Sequence, residues 1–212
     1  MTWIPNLLTG SRLALALFMF VALAAAGGDV PYLSEQLSQP LQFALERWAL
    51  IAFVVAAVTD FFDGWLARVM RATSVWGAIL DPIADKVLVC AAVLGLLAQG
   101  ANPPVILPAG LILFREFTVS ALREVAAGKA ISLPVTLLAK WKTTIQLIAL
   151  GAELFAGNAA AFGVPDDPAV LGPLMFAAHS LLWLAAIITV ITGAQYWEQA
   201  RKALSADEAC RR

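Results

Sequence analysis

Four aspartates, Asp60, Asp63, Asp81 and Asp85, fall within one run, VTDFFDGWLARVMRATSVWGAILDPIADK, residues 58–86. Apolar sequence long enough to cross a bilayer flanks the run on both sides. A carboxylate at membrane depth costs roughly 2.5–3.5 kcal/mol on insertion scales, so four of them require compensation. Their spacing says what kind. Asp60 and Asp63 are three apart and share one face of a helix; Asp81 and Asp85 are four apart and share a face of the next. Two such helices side by side make an all-oxygen cage, which suits Mg²⁺ or Mn²⁺. Two divalent cations in such a cage would clamp the attacking and leaving oxygens of an in-line phosphoryl displacement. The other readings of these residues are structural ion pairs between helices and a cation pathway in a transporter.

The elements that must position these acids are legible from composition. Of 212 residues, 61% are hydrophobic and 14% charged. Mean hydropathy is +0.81. These values place the chain in the membrane class. The formal net charge of −1 gives no bulk field for nucleic acid, so no nucleic-acid partner is expected. Two cysteines, Cys90 and Cys210, make no disulfide framework, and Cys90 is expected to be a small buried apolar residue. The first hydrophobic segment has no basic leader beyond Arg12 and is read as retained.

Six stretches can span about 30 Å of hydrocarbon: residues 9–27, 46–70, 78–99, 104–125, 135–157 and 170–197. Pro, Gly and Asp punctuate the gaps between them. The expected fold is therefore all-α and integral to the membrane. It has six transmembrane helices in a single domain over residues 1–212, with a basic tail over 199–212. Counting Lys and Arg near span ends places both termini in the cytoplasm. Arg12, Arg68, Arg71, Arg123, Lys129, Arg201, Lys202, Arg211 and Arg212 then lie on the cytoplasmic side. Asp29, Glu35, Asp166 and Asp167 lie opposite, with Arg47 alone at a helix end there. Trp3, Trp48, Trp141 and Trp197 near span ends read as an aromatic belt. The acids fall in the cytoplasmic half, because Arg71 follows Asp60 by eleven residues, about 16 Å of helix.

Glycine and alanine accompany the acids. The run reads Asp60-x-x-Asp63-Gly64-x-x-Ala67-Arg68, eight residues, then Gly77-x-x-x-Asp81-x-x-x-Asp85. Gly64, Ala67 and Gly77 remove side-chain bulk beside the carboxylates, so something flat or large can lie against the backbone. This pattern resembles the signature of the CDP-alcohol phosphotransferases, integral membrane enzymes of phospholipid synthesis, at all eight positions. The start, Pro5, Asn6, Thr9 and Arg12, resembles the PN-x-x-T-x-x-R entry of many members; Asn6 would alternatively cap the first helix.

The resemblance implies a cofactor of two divalent cations, Mg²⁺ or Mn²⁺, on Asp60, Asp63, Asp81 and Asp85. Asp85 would also be the catalytic general base. It implies contacts to CDP-diacylglycerol from Asn6, Thr9, Gly64, Ala67, Arg68, Thr73, Ser74 and Gly77. The blocks LFREFTVSALREVAAGKA and LLAKWKTT resemble those members that transfer a phosphatidyl group to sn-glycerol 3-phosphate. A dianionic alcohol needs fixed cations, and Arg115, Arg123, Lys140 and Lys142 would supply them. As a helix, the segment would turn Lys140 and Lys142 about 160° apart, so one of the two reaches headgroups instead. Inositol phosphate, serine and phosphatidylglycerol are the other acceptor alcohols open within the class. The resemblance further implies a homodimer in a bacterial inner membrane, with the active site facing the cytoplasm.

Overall fold

The computed structural model describes the backbone of residues 3–32, 36–70, 75–100, 103–129, 131 and 137–210; inside helices, the side chains of 3–6, 61–70, 75–79, 81, 137–140 and 206–210 lie outside the description. Six helices follow in order: α1 (Trp3–Gly27), α2 (Gln39–Met70), α3 (Val75–Ala98), α4 (Pro103–Gly128), α5 (Leu137–Gly157) and α6 (Pro168–Cys210). A 3-10 turn, Ala159–Phe162, joins the last two. Each expected span overlaps one helix, in the expected order. Among the described residues, four helical segments are long and apolar enough to cross a membrane: Leu7–Gly27, Gln39–Asp60, Pro103–Gly128 and Pro168–Ser205. Their outward side chains are what a lipid phase solvates. Phe114 and Phe176 are about three-quarters exposed, and Trp48, Trp141 and Trp197 face outward.

The contacts divide the chain into two compact units, Met1–Asn102 with Leu150–Ala178, and Pro103–Ala149 with His179–Arg212. In the first, α1 packs on both α2 and α3. Its inward stripe is Thr9, Arg12, Ala16, Met19 and Leu23, spaced three and four apart and all buried. The facing stripes are mostly small: Ala49, Ala52 and Ala56 on α2, and Ala84, Ala91 and Ala92 on α3. Small residues let helix backbones approach where lipid supplies no hydrophobic drive. The approach is closest at two glycines. A Cβ on Gly27 would stand 2.3 Å from the Ala98 carbonyl oxygen, and one on Gly95 would stand 2.4 Å from Leu23 Cδ1. Just beyond, Gly28 takes φ +97°, and Asp29 N–H donates to Ala24 O at 3.0 Å, the glycine-dependent close of a helix. Arg47, the basic residue at the far end of α2, donates from Nη1 to the Ala161 carbonyl at 3.1 Å. Gln99 and Asn158 exchange amide hydrogen bonds of 2.7 and 3.0 Å.

In the second unit, α4 buries Val105, Ala109, Ile112, Val119 and Ala126. These positions are spaced so that Glu116 and Arg123 fall on the same stripe. The inward stripe of α6 contains Leu182, Ala185, Thr189, Thr192, Tyr196 and Ala200, all buried. Two sequence expectations change here. Asn6 lies inside α1, which begins at Trp3, and so does not cap that helix. Cys90 is only half-buried.

The glycine contacts define a stability test. Gly27→Ala and Gly95→Ala are each expected to lower thermal stability in detergent by about 1–3 kcal/mol, the range for overpacking. The Gly95 clash is with a side chain and the Gly27 clash with backbone. Adding Leu23→Ala should therefore recover part of the Gly95→Ala loss and none of the Gly27→Ala loss. Equal behaviour of the two in a detergent melt would contradict the α1–α3 geometry.

Candidate active site

Arg12 projects from the inward face of α1 and is 1% exposed. Its Nη1 stands 2.7 Å from Asp60 Oδ1 on α2 and 2.9 Å from Asp85 Oδ1 on α3. One guanidinium nitrogen thus joins the first and the fourth acid of the motif, which lie on different helices. The local reasons are simple. Asp60 extends the buried stripe of α2 by one turn beyond Ala56, and Asp85 stands three residues before buried Leu88 on α3. Pro82 lies between Asp81 and Asp85 inside α3. A proline there removes the N–H that would bond the carbonyl of residue 78.

The electrostatics follow from burial. Arg12 is almost wholly enclosed, whereas the Asp60 and Asp85 side chains are 30% and 52% exposed. A buried guanidinium is tolerated only when paired and hydrogen-bonded, and two carboxylates converging on it supply both. The converse holds for the acids: two carboxylates brought this close require a positive centre between them. The acids offer only oxygens, and both Oδ1 atoms converge on the position where the Arg12 Nη1 stands. That is the donor set and convergence a hard divalent cation takes. Asp60 and Asp85 therefore fit a metal pair's ligand set. Buried Thr9 stands one turn before Arg12 on the same stripe.

Other expected site residues lie partly or wholly outside the described residues. Asp63, Gly64, Ala67, Arg68, Gly77 and Asp81 are on helical backbone, α2 or α3, but their side chains are not described. The same holds for Asn6 on α1 and Lys140 on α5. Thr73 and Ser74 lie outside entirely.

The second unit gathers three of the four expected phosphate-binding cations. Lys142, on α5 and 4% exposed, makes an ion pair with Glu116 of α4. Arg115 Nη1 is 3.5 Å from the same Glu116 Oε1, and its Nη2 donates to Thr192 Oγ1 of α6 at 3.2 Å. Arg123 Nη2 donates to Tyr196 Oη at 2.7 Å. Lys142 is thus the lysine turned inward. Gly193 leaves the room Arg115 needs, since a Cβ there would stand 2.9 Å from Arg115 Cγ. Sequence reasoning passed over Thr192 and Tyr196, and gave Arg12 no place among the acids. The available signal was spacing: Thr189, Thr192 and Tyr196 are three and four apart, following the apolar stretch of residues 181–188.

Comparison with known proteins agrees in extent as well as pattern. The sequence model of the CDP-alcohol phosphatidyltransferase family matches residues 2–191. The CDP-diacylglycerol–glycerol-3-phosphate 3-phosphatidyltransferase of Cereibacter sphaeroides is 41% identical over 232 aligned positions, covering 96% of this chain and 97% of its own. The protein of the same name from Rickettsia bellii is 35% identical over 199 positions, covering 94% and 96%. That from Haemophilus influenzae is 37% identical over 156, covering 73% and 77%.

The Arg12 bridge carries its own test. Arg12→Gln removes the positive charge that Asp60 and Asp85 share. In EDTA it should lower thermal stability by about 1–3 kcal/mol, the cost of an unsatisfied polar partner. Millimolar Mg²⁺ or Mn²⁺ should restore more stability to the variant than to the wild type, since the ion supplies the missing charge. Equal melting shifts of both proteins with metal would argue against a shared cation position.

Proposed function

The chain belongs to the CDP-alcohol phosphatidyltransferase family, and from that premise we infer that it transfers the phosphatidyl group of CDP-diacylglycerol to sn-glycerol 3-phosphate. The products are phosphatidylglycerol phosphate and CMP. The observation that carries this reading is the 41% identity, over 96% of the chain, to the Cereibacter sphaeroides enzyme whose name states that reaction.

The residues divide the work as follows. Asp60, Asp63, Asp81 and Asp85 would hold two divalent cations, Mg²⁺ or Mn²⁺, which when bound supply positive charge to the diphosphate and to the departing CMP. Asp85 takes the proton from the 1-hydroxyl of glycerol 3-phosphate. That oxygen attacks the phosphorus bearing the diacylglycerol, a new P–O bond forms, and the bond to the CMP oxygen breaks. Asp85 suits the base role because its side chain is about half exposed and so open to an incoming alcohol. Arg12 orients Asp60 and Asp85 towards each other. Thr9, with Asn6, Gly64, Ala67, Arg68, Thr73, Ser74 and Gly77, borders the donor in this reading, the small residues leaving room for the nucleotide. Arg115, Arg123, Lys140 and Lys142 bind the phosphate of the acceptor. Their support is chemical: a dianion calls for several fixed cations, and Arg115, Arg123 and Lys142 are held by α4, α5 and α6 of one unit.

The setting is part of the proposal. Residues 1–212 form one six-helix transmembrane domain with both termini in the cytoplasm. The acids open to the cytoplasmic side of a bacterial inner membrane, where a water-soluble phosphorylated alcohol arrives, and the working unit is a homodimer.

The purified protein, given radiolabelled CDP-diacylglycerol and separate acceptors, should label glycerol 3-phosphate and release CMP. Preference for inositol phosphate, serine or phosphatidylglycerol would move the reading to another acceptor. Transport of Mg²⁺ in liposomes without CMP release would replace it altogether. Variants at the acids give the second expectation. Asp60→Asn should abolish turnover at any Mg²⁺ concentration, because a ligand loses its charge. Asp85→Asn should lower kcat at least about 10²-fold, the lower range for loss of a general base, with donor binding little changed. Normal kcat in Asp85→Asn at saturating donor would remove Asp85 from the base role.

A further inference from the structure

We propose that Tyr196 is the positioning residue for glycerol 3-phosphate: its buried phenol gathers Arg115 and Arg123 into one anion site without cancelling their charge. The inference rests on the acceptor reading given above. Arg115 and Arg123 stand eight residues apart on α4, about 12 Å along its axis. Guanidiniums left to themselves repel and point to water. Here the Arg115 and Arg123 Cζ atoms lie 5.7 and 4.8 Å from the centre of the same ring, that of Tyr196 on α6. Both are within cation–π range. Tyr196 is 1% exposed, so the ring has a fixed place to hold them in.

The second contact is directional. Arg123 Nη2 donates to Tyr196 Oη at 2.7 Å. One turn earlier on α6, Thr192 Oγ1 accepts from Arg115 Nη2 at 3.2 Å. Both hydrogen bonds from these arginines to α6 therefore go to neutral oxygens. A carboxylate at either place would hold the arginines more strongly and would also neutralise them. The one carboxylate in the described cluster, Glu116, lies against both Lys142 and Arg115. Three cations and one anion leave a net charge of +2, the complement of a phosphomonoester dianion. The arrangement resolves a conflict: the site must be rigid before the ligand arrives, yet keep its charge for the ligand. A phenol does both, through its ring face and its oxygen.

The test is a double-mutant cycle with steady-state kinetics on the purified enzyme. Arg115→Ala and Arg123→Ala should each raise KM for glycerol 3-phosphate about ten- to a hundredfold, the loss expected for a charge-assisted contact. Tyr196→Phe keeps the ring and loses the oxygen, and should raise that KM about three- to tenfold, less than the arginine variants because the lost charge-assisted bond acts on the ligand only through Arg123. KM for CDP-diacylglycerol and kcat should hardly move. Tyr196→Leu loses both contacts and should approach the arginine variants. In the Arg123→Ala background, Tyr196→Phe should add nothing, because its partner is already gone. Normal KM for glycerol 3-phosphate in the Tyr196 variants, with raised KM in the arginine variants, overturns the role of Tyr196 and leaves the acceptor reading standing. Unchanged KM in the arginine variants overturns the acceptor reading and this inference with it. If Tyr196→Leu does not fold, the cycle between Tyr196→Phe and Arg123→Ala decides, and full additivity there overturns the proposal.

Discussion

The arrangement of the first unit depends on one ion bridge, Arg12 between Asp60 and Asp85. In hydrocarbon, an unpaired charge is the most costly thing a helix can carry. A guanidinium 1% exposed on α1 must therefore meet its counter-charges, and these come from α2 and α3. Meeting them fixes the rotation of all three helices at once. A turn of any one by a single residue, about 100°, would carry its charged group off the shared face. Apolar packing specifies less. The stripes of Ala and Gly that line the contact allow close approach but tolerate sliding. The ionic bridge selects the register, and the glycines at 27 and 95 let the backbones come near enough to hold it.

The same bridge links structure to chemistry. Two carboxylates this close repel, and each needs a positive partner. Placing one arginine among them satisfies part of that demand from within the chain. The second unit holds the opposite sign: Arg115, Arg123 and Lys142 gather there with Glu116. There Arg123 pairs with a phenol, and Arg115 with a hydroxyl as well as with the Glu116 carboxylate. The two units thus pair their charges in two ways: carboxylates meet the one arginine of the first, whereas a phenol and a hydroxyl share the arginines of the second with a single carboxylate.

Much of this could be read from the sequence, and the limit has a physical cause. The six helices follow from apolar length, and a segment's hydropathy depends on composition alone. The acids stood out because carboxylates in such segments are rare and expensive, so their presence and spacing carry information. Arg12 was visible as a charge near a span end, where orientation of the chain in the membrane explains an arginine equally well. Only its burial separates the two uses. Tyr196 was less legible still, since aromatic residues near the ends of spans ordinarily mark the interface. Its neighbour Trp197 does face outward. One position separates an interfacial aromatic from the residue that organises two arginines, and a helix turns about 100° between them.

The lysine pair shows the same limit in its sharpest form. Lys140 and Lys142 are two apart, so helical geometry sends them to opposite sides, and nothing in their own residue type says which is inward. The answer lies on another helix. Glu116 falls on the buried stripe of α4, four residues after Ile112 and three before Val119, and a carboxylate there must be met by a cation. Lys142 meets it. The inward lysine is thereby defined by a partner twenty-six residues earlier in the chain, through a contact that no local pattern encodes. Charges in a membrane protein are read most surely in complementary sets. A single arginine or lysine carries little information, whereas an arginine, a glutamate, a lysine and a tyrosine that satisfy one another across three helices describe a site.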